Sequence, residues 1–235
     1  MRAASGSVLR VPYDEDMHEP APAPTASTPK PLRADAARNR AKLLAAATEL
    51  FGSRGLDAPL EEIARRAGVS IGTLYNHFPN REAFWEAIFP ARLAALEQLT
   101  ETALAAPDAW DGFVAYLEGL FALQAEDHGL NDALAQRFRA AGEVEQACNR
   151  GFQHAELIIQ RARDSGQLRP DFEPQDLVTL IWAMSQVIRE SMESAPDTWR
   201  RCLAFFLDGL RAGAAHPIGV PPLTEGQLAA SMRSR

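Results

Sequence analysis

The stretch EEIARRAGVSIGTLYNHFPNRE, from Glu61 to Glu82, decides the fold class of this protein. It divides into two short helical segments with a tight turn between them. Gly68 can adopt the left-handed backbone that ends the first helix, and the hydroxyl of Ser70 can cap the second. The stretch therefore predicts a helix-turn-helix, whose small apolar core consists of Ile63, Ala64, Ala67 and Val69.

The second helix of this pair carries polar and aromatic side chains that do not suit an ordinary core. Leu74 and Phe78 lie one turn apart and are expected to be buried. A helix of about eight residues is roughly 12 Å long and fits a major groove about 12 Å wide. We therefore expect a DNA-contacting surface, although Tyr and His on a short helix also occur in purely structural roles. The candidate contact residues are Ser70, Gly72, Thr73, Tyr75, Asn76, His77 and, in the next helix, Arg81.

Charge is distributed unevenly along the 235 residues, which carry a formal net charge of −7. Nine basic and six acidic residues lie between Lys30 and Glu82, so this segment carries +3 and the rest of the chain −10. A basic module joined to an acidic body is typical of a nucleic-acid-binding domain attached to a second domain. The charge pattern thus supports a DNA-contacting surface.

Apolar residues recur at spacings of three and four over most of the chain, and strand-like alternation is absent. The pattern predicts an all-α protein. The expected helices cover about 35–53, 59–67, 70–78, 80–104, 109–126, 130–141, 143–165, 174–194 and 197–213. Residues 1–30 and the tail from His216 are rich in Pro and small residues and show no sustained period, so we expect both to be disordered.

The composition disfavours several classes of protein. No apolar run approaches the roughly 18 residues of a membrane span, and the N-terminus lacks the hydrophobic stretch of a secretory signal. Two cysteines cannot make a disulfide framework, and Cys148 and His154, six positions apart, do not share a helical face. We therefore expect a cytoplasmic protein with no membrane contact, metal or cofactor. No Gly-rich phosphate loop, nucleophile elbow or acid–base pair indicates an enzyme.

Residues 37–84, ARNRAKLLAAATELFGSRGLDAPLEEIARRAGVSIGTLYNHFPNREAF, resemble the N-terminal domain of TetR-family transcriptional regulators. The segment LLAAATELFGSRGLDA is similar to the first helix of that family, and EEIARRAGVSIGTLYNHFPNRE is similar to its two DNA-reading helices. The resemblance implies an all-α homodimer in which each N-terminal domain places its third helix in a major groove of a palindromic operator. It also implies a bacterial, nucleoid-associated regulator, most often a repressor, whose variable C-terminal domain binds a small-molecule effector.

The resemblance also implies roles for single residues. The family's DNA-contact positions, including the phosphate contact at the start of the fourth helix, are occupied here by Thr73, Tyr75, His77 and Arg81. The positions at which members vary and read different bases are occupied by Ile71, Gly72 and Asn76. One departure is Ala58–Pro59, which stands where many members have a Thr or Ser that caps the second helix. Fewer DNA contacts are therefore expected from that helix.

Two later segments, LQAEDHGLNDALA and SGQLRPDFEPQDL, resemble the SbtR-like branch of the family. The implied organisation is a disordered arm over 1–33, a helix-turn-helix DNA-binding domain over 34–81, a helical effector-binding and dimerisation domain over 82–215 and a disordered tail over 216–235. The two apolar helices over about 174–213 are expected to join two copies of the chain, because a helix that is apolar over much of its girth is either central or at an interface.

An effector pocket needs an apolar concavity with a few polar groups. The candidate lining residues are Phe113, Tyr116, Leu117, Leu120, Phe121, Gln124, Phe138, Cys148, Phe152 and Trp182. For each of them, core packing is the competing interpretation. Cys202, in an apolar helix, is expected to be a small buried hydrophobe.

A competing hypothesis is an all-helical partner-binding protein whose helix-turn-helix recognises no particular DNA sequence. The acidic body supports it. This hypothesis predicts DNA binding that is weak and equal across sequences, whereas a regulator selects a palindrome.

Overall fold

Side-chain caps and glycines set the helix boundaries around the turn at Gly68. The computed structural model describes residues 30–135 and 142–233. Gly68 has a φ of 67°, and its N–H closes the end of the preceding helix. The hydroxyl of Ser70 accepts a hydrogen bond from the N–H of Thr73 at 3.1 Å, and Oδ1 of Asn80 accepts one from the N–H of Ala83 at 2.8 Å. The cap that the sequence predicts at Ser70 is confirmed, and Asn80 caps the following helix in the same way.

The described residues form ten α-helices and no β-strand, which confirms the all-α prediction. In chain order the helices are α1 (Lys30–Arg54), α2 (Leu60–Ala67), α3 (Ile71–His77), α4 (Arg81–Ala105), α5 (Ala109–Glu126), α6 (His128–Leu134), α7 (Gly142–Asp164), α8 (Pro174–Ser191), α9 (Thr198–Leu210) and α10 (Glu225–Arg233). A 3-10 turn at Ala212–Ala214 follows α9, and an isolated antiparallel bridge joins Leu168 to Arg211.

The structure differs from the sequence prediction at both ends of the chain and at α6. Helix α1 is already formed at Lys30, within the segment expected to be a disordered arm. Helix α6 ends at Leu134 instead of reaching residue 141, and residues 136–141 lie outside the described part of the chain.

The tail expected to be disordered contains helix α10. Its first turn is held by a reciprocal cap: the N–H of Thr224 donates to Oε1 of Gln227 at 2.9 Å, and the N–H of Gln227 donates to the Thr224 hydroxyl at 3.2 Å. Leu228, one residue later, is buried. The Thr-x-x-Gln spacing is a capping-box pattern, which marks the start of a helix. The sequence therefore contains a helix signal here, although the composition of the tail is typical of disorder.

Helices α1 to α3 and the first half of α4 enclose the first of two hydrophobic cores, and we call this unit, up to Phe89, the head. Its fully buried large side chains are Leu43, Leu50, Phe51, Ile63, Leu74, Phe78, Phe84 and Trp85. Phe78 and Phe84 stack with their ring centroids 3.9 Å apart. Leu130, from α6, is buried in the same cluster. Burying side chains of this size contributes about 1.5–3 kcal/mol each, which makes the head a rigid mount for α3.

The second half of α4 and helices α5 to α9 enclose the second core, and we call this unit the body. Its members come mainly from four helices: Phe113, Leu117 and Phe121 in α5, Ile158 and Ala162 in α7, Leu177, Met184 and Ile188 in α8, and Trp199 and Leu203 in α9. A Cβ added to Gly112 would lie 2.4 Å from the carbonyl oxygen of Ala103, so α4 and α5 approach closely at this point. Helix α4 thus contributes to both cores.

Candidate nucleic-acid interface and effector domain

Helix α3 divides its side chains between the core of the head and the outer surface. Leu74 and Phe78 are buried, as the sequence predicts. Tyr75 is 46% exposed and Ile71 39% exposed, although both are large apolar or aromatic residues that usually avoid water. Gly72 and Asn76 are exposed beside them, and Thr73 and His77 are half-buried. The structure therefore brings the predicted α3 residues together on one accessible strip.

The two hydroxyls at the start of this strip contact each other. Oγ of Ser70 lies 2.9 Å from Oγ1 of Thr73, in addition to accepting the N–H of Thr73. Only one of the two O–H groups donates in this contact, so the other can donate to an acceptor such as a phosphate oxygen. The Ser70–Thr73 pair thus leaves one hydroxyl proton available at the N-terminal end of α3. Gly72, at the same end, has no side chain that would block access to the backbone.

Arg81 has an internal role in this structure. Its Nη1 donates hydrogen bonds to the carbonyl oxygens of Leu56 and Ala58, and its guanidinium lies 5.9 Å from the centre of the Phe51 ring. Arg81 therefore holds the loop between α1 and α2 against the start of α4. The family pattern predicts a phosphate contact at Arg81. Local sequence cannot show that two carbonyls more than 20 positions away turn towards this side chain.

The basic residues of α2 are also paired within the head. Arg66 forms an ion pair with Glu49, and Glu62 pairs with both Arg54 and Arg65. By contrast, Arg40 of α1 is exposed and its guanidinium lies 5.0 Å above the Phe78 ring, at the end of α3.

Arg40 is thus a basic group beside the α3 strip that the sequence analysis did not single out. Lys42, on the same helix, is exposed as well. The positions of Arg40 and Lys42 in the sequence do not indicate that they lie near α3. Arg40 comes close to that helix only because α1 packs on Phe78.

Most of the predicted pocket residues belong to the core of the body. Phe113, Leu117, Leu120, Phe121 and Gln124 are at most 2% exposed, and burial raises the pKa of Tyr116 to about 12. Phe152 and Trp182 are half-buried. Phe138 and the side chain of Cys148 lie outside the described residues, and Cys202 is half-buried rather than buried.

A buried polar layer crosses the body beside this core. The hydroxyl of Ser185, in α8, donates to Oε1 of Gln124, in α5, at 2.8 Å. Nδ2 of Asn131, in α6, donates to the carbonyl oxygen of Ser185 at 3.2 Å, and no described residue donates to Oδ1 of Asn131. Of these residues, only Gln124 was predicted from the sequence to line a site. The other two join it through tertiary contacts more than 50 positions apart.

Next to Asn131, Asp132 joins the body to the head. It is 2% exposed, and its Oδ2 accepts the N–H of Leu56 at 2.8 Å. Its Oδ1 accepts a hydrogen bond from Nη2 of Arg189, in α8. A carboxylate buried to this extent is stabilised only when it is paired and hydrogen-bonded, and both conditions are met here.

Two family models match successive parts of the chain. The first match includes helix α3, and the second includes the buried polar layer. The model described as "Bacterial regulatory proteins, tetR family" matches residues 43–88, and "Transcriptional regulator SbtR-like, C-terminal domain" matches residues 108–212. The chain belongs to the TetR family. It is a helix-turn-helix transcriptional regulator with an SbtR-like C-terminal domain, as the resemblance implied.

Individual relatives are similar to this chain over most of its length. The HTH-type transcriptional regulator UidR of Escherichia coli K12 is 29% identical over 193 residues, which cover 77% of this chain and 93% of UidR. The TetR transcriptional regulator SCO0520 of Streptomyces coelicolor is 31% identical, with 73% of this chain and 98% of SCO0520 covered and a TM-score of 0.47.

The fold alone is shared with FadR of Bacillus subtilis, solved in complex with stearoyl-CoA. FadR is 19% identical, the match covers 75% of this chain and 99% of FadR, and the TM-score is 0.53.

The TetR-family body exposes an apolar face on its last helices. Phe205 is 63% exposed and Phe206 40% exposed, both in α9, and Ile181 and Trp182 of α8 are half-buried. Adjacent exposed Phe side chains are unusual on a surface that stays in water.

Among the described residues, no helix is both long and apolar enough to cross a membrane.

Proposed function

We propose that this TetR-family regulator binds a palindromic operator as a homodimer, represses transcription there and is released by a small-molecule effector. The observation that carries the proposal is the exposed strip of α3, in which Ile71, Tyr75 and Asn76 point outwards from a helix fixed by the buried Leu74 and Phe78. Such a regulator acts where the bacterial chromosome lies, in the cytoplasm.

The strip offers the groups that DNA recognition needs. Asn76 and His77 can hydrogen-bond to base edges, and Ile71 can contact a thymine methyl group. The hydroxyls of Thr73 and Tyr75, and one O–H of the Ser70–Thr73 pair, can donate to phosphates. The bare backbone at Gly72 allows a close approach.

We assign the main phosphate contacts from side chains of the head to Arg40 and Lys42. Both are exposed on α1, and Arg40 lies over the end of α3. Arg81 acts by holding the α1–α2 loop through its hydrogen bonds to Leu56 and Ala58. Because the same guanidinium is engaged inside the head, its direct contact with phosphate is the alternative proposal.

The dimer is proposed to form through α8 and α9. Their exposed face, with Phe205 and Phe206 at its centre, gives two copies a self-complementary apolar surface, as a two-fold interface requires. Two heads related by this two-fold axis would read half-sites about 34–36 Å apart, one turn of DNA.

The effector is proposed to bind in the body, beside the predicted lining residues of α5 and the half-buried Phe152 and Trp182. Binding would favour a dimer whose two α3 helices no longer match adjacent major grooves. To change operator occupancy from nearly full to nearly empty, the effector must prefer that state by roughly 5.5 kcal/mol.

Selection of bound DNA from a random pool tests this function directly. A palindrome with half-sites one turn apart is the expected result. If six to ten phosphates are contacted, affinity should fall by about 10³–10⁵-fold between 50 and 200 mM salt. Weak binding that is equal across sequences would instead favour the partner-binding hypothesis.

A further inference from the structure

We propose that Asp132, a residue of the body, is a positioning residue for operator recognition, because it fixes the angle of the head through the backbone N–H of Leu56. The inference rests on the proposed function, since it concerns how the two α3 helices are held for a palindromic site. Asp132 itself lies on α6, outside the helix-turn-helix, and is 2% exposed.

The carboxylate of Asp132 connects three parts of the chain. Its Oδ2 accepts the N–H of Leu56, in the loop between α1 and α2, at 2.8 Å. Its Oδ1 accepts from Nη2 of Arg189, in α8, which is one of the two helices of the proposed dimer interface. A shift of α6 or α8 therefore acts on the Leu56 peptide through charge-assisted hydrogen bonds, which are the stronger kind.

Tight backbone packing makes this connection stiff. Gly55 has a φ of 77°, and a Cβ placed on it would lie 2.3 Å from Oδ2 of Asp132. A Cβ on Gly129, at the start of α6, would lie 3.1 Å from the carbonyl oxygen of Phe51. Both positions are crowded, at Gly55 by the Asp132 carboxylate and at Gly129 by the backbone of α1, so α6 lies directly against the end of α1 and its displacements are transmitted there.

Leu56 is held from its other side, at its carbonyl, by the head. Nη1 of Arg81, in the first turn of α4, donates to the carbonyl oxygens of Leu56 and Ala58. Arg81 comes four residues after the end of α3. Leu56 thus donates its N–H to Asp132 of the body and accepts at its carbonyl from Arg81 of the head, so its backbone transmits the position of α6 to α3.

Loss of this connection should affect specific binding and spare non-specific binding. A palindrome is bound tightly only when both α3 helices enter their half-sites together, which depends on the angle of each head. Random DNA is bound mainly through phosphate charge, which the angle of the head affects little.

The experiment compares Asp132→Asn with Asp111→Asn in the full-length protein. Asp111 is exposed in the first turn of α5, so the control variant makes the same charge change at a site remote from Leu56. The probes are the palindrome selected by the wild type and a random duplex of equal length. For Asp132→Asn we expect at least about fivefold weaker binding to the palindrome, the lower end of usual coupling effects, and unchanged binding to the random duplex.

Amide hydrogen exchange separates positioning from general loss of structure. Exchange at Leu56 should accelerate in Asp132→Asn, while exchange at Val69, whose N–H is bonded to the Ala64 carbonyl inside the head, should not. Arg189→Gln provides a second variant that leaves the Leu56 N–H its acceptor and removes the charged partner that joins Asp132 to α8. It should weaken palindrome binding in the same direction, and it keeps the proposal testable if Asp132→Asn does not fold.

The outcomes distinguish this inference from the proposed function. If the wild type selects no palindrome, the proposed function fails. If a palindrome is selected and Asp132→Asn binds it as Asp111→Asn does, the positioning role is overturned. Equal losses on palindrome and random duplex, or faster exchange at Val69, would also overturn it, because they indicate a disrupted head.

Discussion

Phe78 and Phe84 stack face to face, with ring centroids 3.9 Å apart and ring planes 20° apart, across the junction between the reading helix and α4. Phe78 is the C-cap that directly follows α3, and Phe84 lies in the first turn of α4. The Phe51 ring lies nearly perpendicular to that of Phe84, with ring centroids 6.2 Å apart, and closes the cluster from α1. The orientation of α3 therefore depends on aromatic packing inside the head.

Phe84→Ala should destabilise the protein by about 3–5 kcal/mol, because it leaves a cavity between two rings that are themselves buried. The free energy of unfolding in denaturant measures the effect. Leu157→Ala is the matched control: Leu157 is 56% exposed on α7, so its truncation should change stability by less than about 0.5 kcal/mol. Similar values for the two variants would show that the stack does not support the head.

Tyr75→Ala should weaken operator binding by about 1.5–3 kcal/mol, the range of a hydrogen bond to a charged group such as a phosphate, and leave stability nearly unchanged. The reason is that Tyr75 is 46% exposed, whereas its neighbour Leu74 is fully buried. Titration of the selected operator and thermal unfolding measure the two effects. A large fall in the unfolding temperature with unchanged DNA affinity would assign Tyr75 to the core instead.

Arg40→Ala and Arg81→Ala should differ in kind. Loss of Arg40 should reduce the slope of log affinity against log salt concentration by about 0.9, as expected for one phosphate contact. It should also cost about 0.5–1 kcal/mol of folding stability, because the contact of its guanidinium with the Phe78 ring is lost. Loss of Arg81 should cost about 1.5–3 kcal/mol of stability, because charged hydrogen bonds to two loop carbonyls disappear, and leave the salt slope unchanged. The reverse pattern would restore Arg81 as the phosphate contact.

Phe205→Ala combined with Phe206→Ala should raise the dimer dissociation constant by at least about 30-fold, since a central interface side chain contributes about 2 kcal/mol or more. Sedimentation over a range of protein concentrations measures this constant. The monomer should stay folded, because both rings are exposed and outside the core of the body. An unchanged dimer would place the interface elsewhere.

The stability of the body should depend on pH through Asp108, the cap of α5. Hydrogen bonds from the N–H of Asp111, from the side chain of Gln167 and from the N–H of Trp110 hold the pKa of Asp108 below its ordinary value of 3.8. A lowered pKa in the folded state means that this stabilisation is complete above the ordinary value and is lost as the pH falls through the folded-state value. Asp108→Asn should therefore lose less stability than the wild type on acidification below 3.8. Parallel curves for the two proteins would contradict this role.

Features that depend on neighbours in sequence were predictable. Gly68, Ser70 and Asn80 mark helix ends because each acts on its own or an adjacent turn, and the burial of Leu74 and Phe78 follows from helical spacing. The family assignment rested on the same local pattern.

Features that depend on distant partners were not predictable. Asp132 meets Leu56 across 76 positions, and no spacing rule pairs a carboxylate with a loop N–H so far away. The same holds for Arg40, which reaches Phe78 only after α1 has packed on α3. The basic excess of the head was also a poor guide to individual contacts, because Arg54, Arg65 and Arg66 pair with acids of the head itself.

Helix α4 has a consequence for chimeric regulators. Phe84, Trp85, Ile88 and Phe89 complete the core of the head, while Ala103 on the same helix belongs to the core of the body. The sequence pattern places the domain boundary at residue 81. In a hybrid protein joined there, α3 of one regulator would have to pack against the α4 aromatic residues of another regulator. The natural point of exchange lies beyond Phe89, so that a grafted head keeps its own half of the helix.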